Sequence, residues 1–154
     1  MPTTQQNEFV LKRATGTIPD GQVDTGADAH RLLLAEDDGP FRFLLSSVLR
    51  KDGHHVVAVS NGVDLIDILG DSLSPDGTFA PFDLVLTDLR MPGWPGLEGL
   101  AKVGRMPGMP PFILFTAFGD EDTHKRAREL GAVTLLDKPF DIDYLLELVE
   151  QVLS

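Results

Sequence analysis

Asp83-Leu84-Val85-Leu86-Thr87-Asp88 is a short apolar run that ends on a carboxylate, and the reading of the fold turns on it. A run of this length with no polar alternation is the pattern of a strand buried on both faces of a parallel sheet. Three further runs have the same form. Arg31-Leu32-Leu33-Leu34-Ala35 leads into Glu36-Asp37-Asp38, Phe112-Ile113-Leu114-Phe115 into Thr116, and Val133-Thr134-Leu135-Leu136 into Asp137-Lys138-Pro139. Laid side by side, these strands bring carboxylates, a hydroxyl and an ammonium to one edge of a sheet. That edge is where open α/β sheets bind ligands.

Helical patterns fill the spaces between the runs. Phe41, Leu44, Leu45 and Val48 recur at helical spacing until Asp52-Gly53 stops them, and Val56 to Val59 is a further strand. Leu65, Ile66 and Leu69 mark a second helix after an Asn61-Gly62 turn, and Gly70 to Pro81 reads as a long surface loop. Met91-Pro92-Gly93-Trp94-Pro95-Gly96 breaks regular structure before a short helix over Leu97 to Val103. Asp120-Glu121-Asp122 opens a fourth helix that ends at Gly131. Only Ala127 and Leu130 are apolar on it, so loose packing is expected. Asp141 is the expected N-cap of a last helix with Tyr144, Leu145, Leu148, Val149 and Val152 as its stripe. Five strands alternating with five helices predict an α/β, doubly wound, flavodoxin-like (βα)5 sandwich around a five-stranded parallel sheet.

Composition narrows the function classes. The chain has 154 residues, 42% apolar and 24% charged, enough for one domain with a sizeable core. Cysteine is absent, which removes thiolate chemistry and fits a reducing compartment; a cytoplasmic location is expected. The net charge of −11 argues against nonspecific nucleic-acid or anionic membrane binding. Residues 1–28, with the lone apolar patch Phe9-Val10-Leu11, read as a flexible N-terminal extension, and residues 29–154 as the domain.

Magnesium takes hard oxygen ligands, one or two of them carboxylates, with phosphate and water. Glu36, Asp37 and Asp88 offer such ligands, with manganese as the alternative ion. Asp38 reads as a helix cap. Asp88 reads as a ligand, a cap or a nucleophile, since a carboxylate can attack phosphorus to give an acyl phosphate. Lys138 is the basic residue at these strand ends and the candidate cation, and Pro139 after it constrains the backbone. Thr116 is either a donor to a phosphoryl oxygen or a plain strand terminator. His30, His54-His55 and His124 lack zinc-ligand spacing and read as surface or packing residues. No nucleotide-binding glycine loop and no serine-hydrolase elbow is present.

Taken together, Leu-Leu-Leu-Ala-Glu36-Asp37-Asp38, Leu-Val-Leu-Thr-Asp88-Leu-Arg-Met91-Pro92-Gly93, Phe-Thr116-Ala117 and Asp-Lys138-Pro139-Phe140 resemble the receiver domain of two-component response regulators. The resemblance covers roughly His30 to Ser154. It implies a phospho-accepting switch in which Asp88 takes a phosphoryl group from a sensor histidine kinase or histidine phosphotransfer protein. It further implies that Glu36, Asp37, Asp88 and the backbone carbonyl of Arg90 surround magnesium. Lys138 would pair with the phosphoryl group and Thr116 would turn inward to it. A downstream protein target is the implied readout. Such a domain is not an enzyme apart from catalysing its own phosphorylation and dephosphorylation.

This chain departs from the family at Leu135, where an aromatic switch residue is usual. Leucine has no phenolic hydrogen bond to offer, so the loop after Thr116 and the fourth helix are expected to carry the signal. Arg90 and Phe118 occupy positions that flank the phosphoryl group in the family, and a bulky Phe118 is expected to restrict the attacking water. A dehalogenase-type aspartate phosphatase needs a second aspartate two residues after the nucleophile, where this chain has Arg90. A phosphorylation-independent interaction module on the same fold is the other alternative. The chain reads as a stand-alone receiver or a piece of a larger regulator.

Overall fold

Apolar runs that face helices on both sides are the reason for a three-layer arrangement, and the computed structural model has one. It describes residues 29–154 apart from Pro95 and Arg105. The extension read over residues 1–28, with Phe9-Val10-Leu11, lies outside the described residues. In chain order the elements are β1 (Arg31–Ala35), α1 (Gly39–Lys51), β2 (His55–Val59), α2 (Gly62–Ser72), β3 (Leu84–Asp88), α3 (Leu97–Val103), β4 (Phe112–Thr116), α4 (Glu121–Glu129), β5 (Thr134–Asp137) and α5 (Ile142–Leu153). The strands form one sheet in the order β2-β1-β3-β4-β5. Every pairing is parallel, as expected of the doubly wound topology.

Alternation along each strand divides the core in two. Leu33, Ala35, Val57, Val85, Leu114 and Leu135 face Leu65 and Ile68 of α2, Leu100 of α3 and Ala127 of α4. Leu32, Leu34, Leu84, Leu86, Ile113, Phe115 and Leu136 face Leu45 and Leu49 of α1 and Leu145 and Val149 of α5. β3 and β4 are buried along their whole length, because each has a strand on either side and helices on both faces. Leu135 is buried in the first of these cores, under α4.

Several boundaries move by a residue or two. β2 begins at His55, β3 and β4 run through Asp88 and Thr116, and β5 spans Thr134–Asp137 rather than Val133 to Leu136. Asp88 and Thr116 therefore stand inside the hydrogen-bonded ladder, whereas Glu36, Asp37 and Lys138 follow just beyond strand ends. α2 continues to Ser72, so the loop expected from Gly70 starts later. That loop is also anchored: Asp71 Oδ2 accepts from the Thr78 and Phe79 N–H groups, both at 2.8 Å, and Phe79 and Phe82 are buried. Leu44, Ile66 and Tyr144 are 44%, 40% and 49% exposed, so they lie outside the buried stripes. The caps hold as expected, with Asp38 accepting from the Phe41 N–H and Asp141 from the Asp143 N–H. α4 buries only Ala127, which fits its sparse apolar content.

Candidate functional site

β1 and β3 are neighbours in register, Ala35 opposite Thr87, so Glu36 and Asp88 follow side by side at the C-terminal edge. β4 flanks β3 on the other side, and the Lys138 N–H donates to the Thr116 carbonyl at 2.8 Å. Sheet order thus gathers Glu36, Asp88, Thr116 and Lys138, which lie far apart in sequence. Glu36 and Thr116 are fully buried, Asp88 is 5% exposed, and Asp37 is exposed.

Lys138 closes the group. Its Nζ donates to Glu36 Oε1 at 2.9 Å and to Asp88 Oδ2 at 2.5 Å. The peptide between Lys138 and Pro139 is cis. The other carboxylate oxygens also have partners: Glu36 Oε2 accepts from the Asp38 N–H at 3.0 Å, and Asp88 Oδ1 from the Arg90 N–H at 2.7 Å. The second contact holds the Arg90 backbone against Asp88. Arg42 donates to the Glu36 carbonyl at 2.8 Å and steadies the acidic turn.

Burial pushes the Glu36 carboxyl above the ordinary carboxylate value, and the nearby Asp88 charge pushes the same way; the Lys138 and Asp38 contacts oppose this without cancelling it. Burial alone would lower the Lys138 ammonium. Its hydrogen bonds to Asp88 and Glu36, and their charges, outweigh that, so its pKa is raised and it stays charged at neutral pH.

The residues fit a hard divalent cation. Glu36, Asp37 and Asp88 each offer a carboxylate oxygen, and these oxygens lie within 4.8 Å of one another. Three carboxylates against one ammonium leave an excess of negative charge at a partly buried edge, which a magnesium-type ion would offset.

Thr116, Arg90, Phe118 and His124 lie at this strand edge, and His30 and His54 at the opposite one, where β1 and β2 begin. Thr116 Oγ1 accepts from the Phe118 N–H at 3.1 Å. The Arg90 guanidinium lies 5.3 Å from the Phe118 ring centroid, and both side chains are exposed. His124, read as a surface or packing residue, lies at the surface and bonds both carboxylate oxygens of Asp137 at 3.0 Å. Gly119 sits in the crook: a Cβ there would lie 2.3 Å from Asp137 Oδ1 and 2.8 Å from Thr116 Cγ2. His30 and His54 pack with ring centroids 6.0 Å apart. Sequence reasoning missed the His124–Asp137 pair, because helical phase alone does not say which strand end a helix crosses. It also missed Phe41, read as a core residue, whose ring lies 5.1 Å from Lys138 Nζ.

Comparison with known proteins agrees with this geometry. The family profile described as "Response regulator receiver domain" matches residues 32–150. Sporulation initiation phosphotransferase F of Bacillus subtilis is 33% identical over 123 residues, covering 80% of this chain and 93% of that protein. The DNA-binding transcriptional regulator NtrC of Escherichia coli (strain K12) is 35% identical over 121 residues, but the match covers only 24% of it. Among solved structures, the non-phosphorylated HemR receiver domain from Leptospira biflexa aligns with a TM-score of 0.70 at 29% identity. That alignment covers 81% of this chain and 94% of that one. With the profile spanning most of the chain and the strand-edge residues brought together, the chain belongs to the response regulator receiver domain family.

Proposed function

We propose that this chain is a phospho-accepting switch with Asp88 as the acceptor. The observation that carries the reading is the bridge from Lys138 to both Glu36 and Asp88, beside the three-carboxylate cluster. It supplies a buried nucleophile, a cation and ligands for a metal in one place. Residues 29–154 act as the receiver domain and residues 1–28 as an extension. The phosphotransferase among the relatives supports the chemistry.

In the step we propose, an Asp88 carboxylate oxygen attacks the phosphorus of a phosphohistidine on a sensor kinase or phosphotransfer protein. The P–N bond breaks, and the imidazole nitrogen keeps the electron pair and takes up a proton. Lys138 shifts from Asp88 Oδ2 to a phosphoryl oxygen. Thr116, whose hydroxyl oxygen now accepts from Phe118, turns its own O–H to another. Glu36, Asp37, Asp88 and the Arg90 carbonyl would hold a magnesium ion, with manganese as the alternative, which would supply positive charge to offset that on the transferring group. Water later attacks the acyl phosphate, releasing inorganic phosphate and restoring the carboxylate. The chain is otherwise not an enzyme.

Leu135 offers no hydroxyl and is buried under α4. The signal is therefore assigned to the loop from Ala117 to Asp120 and to α4, which buries a single residue. Comparing amide exchange in phosphorylated and free protein tests this, and no change over residues 117–130 would sink it. The reading places the chain in the cytoplasm, with a downstream protein target and without direct contact to nucleic acid or membrane. Among the described residues no helix is long and apolar enough to cross a membrane.

Intact-protein mass spectrometry after incubation with acetyl phosphate and magnesium tests the central claim. One phosphoryl adduct is expected, lost in Asp88→Asn and in EDTA. A folded protein that takes no adduct would favour the phosphorylation-independent interaction module.

A further inference from the structure

Lys138 has a third neighbour besides its two carboxylates. The ring of Phe41, on the first turn of α1, presents itself to Nζ at 5.1 Å from its centroid. This lies within the range where an ammonium is attracted to the negative face of an aromatic ring. The ring is held by other aromatics. Phe140 meets it edge-on at 5.7 Å, and Phe140 itself stacks on Phe115 at 5.1 Å. Phe115 is fully buried and directly precedes Thr116. One aromatic stack therefore joins α1, the end of β4 and the turn after Lys138.

The contact matters because a lysine stem is flexible. Four methylenes carry a point charge whose position depends on what surrounds it. In the resting arrangement Glu36 and Asp88 hold that charge. When Asp88 becomes an acyl phosphate its oxygen stops being a full carboxylate partner, and the ammonium must move to the phosphoryl group. A ring face attracts a cation without competing for its N–H donors. It can keep the ammonium near the mouth of the site while those donors change partners.

We propose that Phe41 is a positioning residue for phosphoryl transfer, its ring holding the Lys138 ammonium beside Asp88. The proposal rests on the reading of Asp88 as the phosphoacceptor. An aliphatic side chain would fill the same half-buried space but would lack the quadrupole.

The test uses the full chain with Phe41→Leu and Phe41→Tyr, following labelling by acetyl phosphate and magnesium. Proton NMR of the Lys138 Cε methylene runs alongside, because a ring face shifts those protons upfield. Phe41→Leu should label about threefold to tenfold more slowly, tenfold corresponding to ~1.4 kcal/mol, and should lose the upfield shift. Phe41→Tyr should restore both to within about twofold. If Phe41→Leu does not fold, Phe41→Met replaces it. Leucine labelling at the wild-type rate, or tyrosine labelling as slowly as leucine, would overturn the role of the ring while leaving Asp88 as acceptor. A wild-type chain that takes no label would overturn the acceptor reading and the positioning role together.

Discussion

Replacing Lys138 by methionine removes the charge but keeps an unbranched stem against Phe41. It leaves Glu36, fully buried, facing Asp88, 5% exposed, with no ammonium bridging them. Stripping one partner from a buried ion pair typically costs about 3–5 kcal/mol. Here the loss has a ceiling, because one carboxyl can take up a proton. For Glu36, whose ordinary value is 4.5, that costs about 3.4 kcal/mol at pH 7, at ~1.36 kcal/mol per pH unit, and about 0.7 kcal/mol at pH 5. The sign follows from proton counting. Glu36 is already raised in the folded chain, and losing Lys138 raises it further, so the folded state binds the extra proton and stability falls as pH rises above 4.5. The deficit of Lys138→Met relative to wild type should therefore grow with pH, staying below roughly 0.7 kcal/mol at pH 5 and roughly 3.4 kcal/mol at pH 7, because the raised Glu36 of the wild type already carries part of that cost. Urea unfolding at both pH values reads it directly. Magnesium should recover part of the deficit at pH 7, since it would offset the same charge. A deficit equal at the two pH values, or none at pH 7, would refute the argument that Lys138 neutralises a buried carboxylate pair.

Three other outcomes are expected. In Gly62→Ala the new Cβ would lie 2.3 Å from the Gly93 carbonyl and 2.4 Å from the Trp94 N, so the loop after Asp88 must move, at about 1–3 kcal/mol. Fluorescence of the single tryptophan should change with it, and an unaltered spectrum and melting temperature would count against the close approach. Burial lowers His54 below its ordinary 6.5, so its contribution to stability is present above that value and fades as pH falls through the folded-state pKa. His54→Gln should flatten the difference in urea midpoint between about pH 7.5 and pH 5, and an unchanged slope would contradict it. In Phe118→Ala the Arg90 guanidinium loses its ring at the mouth of the site, and the Asp88 phosphate should hydrolyse severalfold faster; an unchanged half-life rejects a shielding role.

Much of the site was legible because its residues end apolar runs. Strand direction is set by chain order in a βαβ fold, so a carboxylate at the end of one buried run and a lysine at the end of another meet at one edge. Glu36, Asp88, Thr116 and Lys138 could be named in this way. The helices were legible where stripe and cap agreed, as in α1 and α5. They were less so where two apolar residues adjoin: Leu44 and Leu45, or Leu65 and Ile66, point about 100° apart on a helix, and only one of each pair reaches the sheet.

The sequence by itself determined the strand count, the parallel topology and the chemistry available at the C-terminal edge, because these follow from local periodicity and chain order. Tertiary structure alone decided which partners those side chains take. Lys138 bridges Glu36 and Asp88, Phe41 lies beside Lys138, and His124 reaches Asp137. Gly62 lies against Gly93 because two segments that are distant in sequence pack without room for a methyl group. The physical reason is that each contact depends on how two elements cross. Side-chain direction and helix placement over the sheet set that crossing, and no pattern within a single segment encodes it.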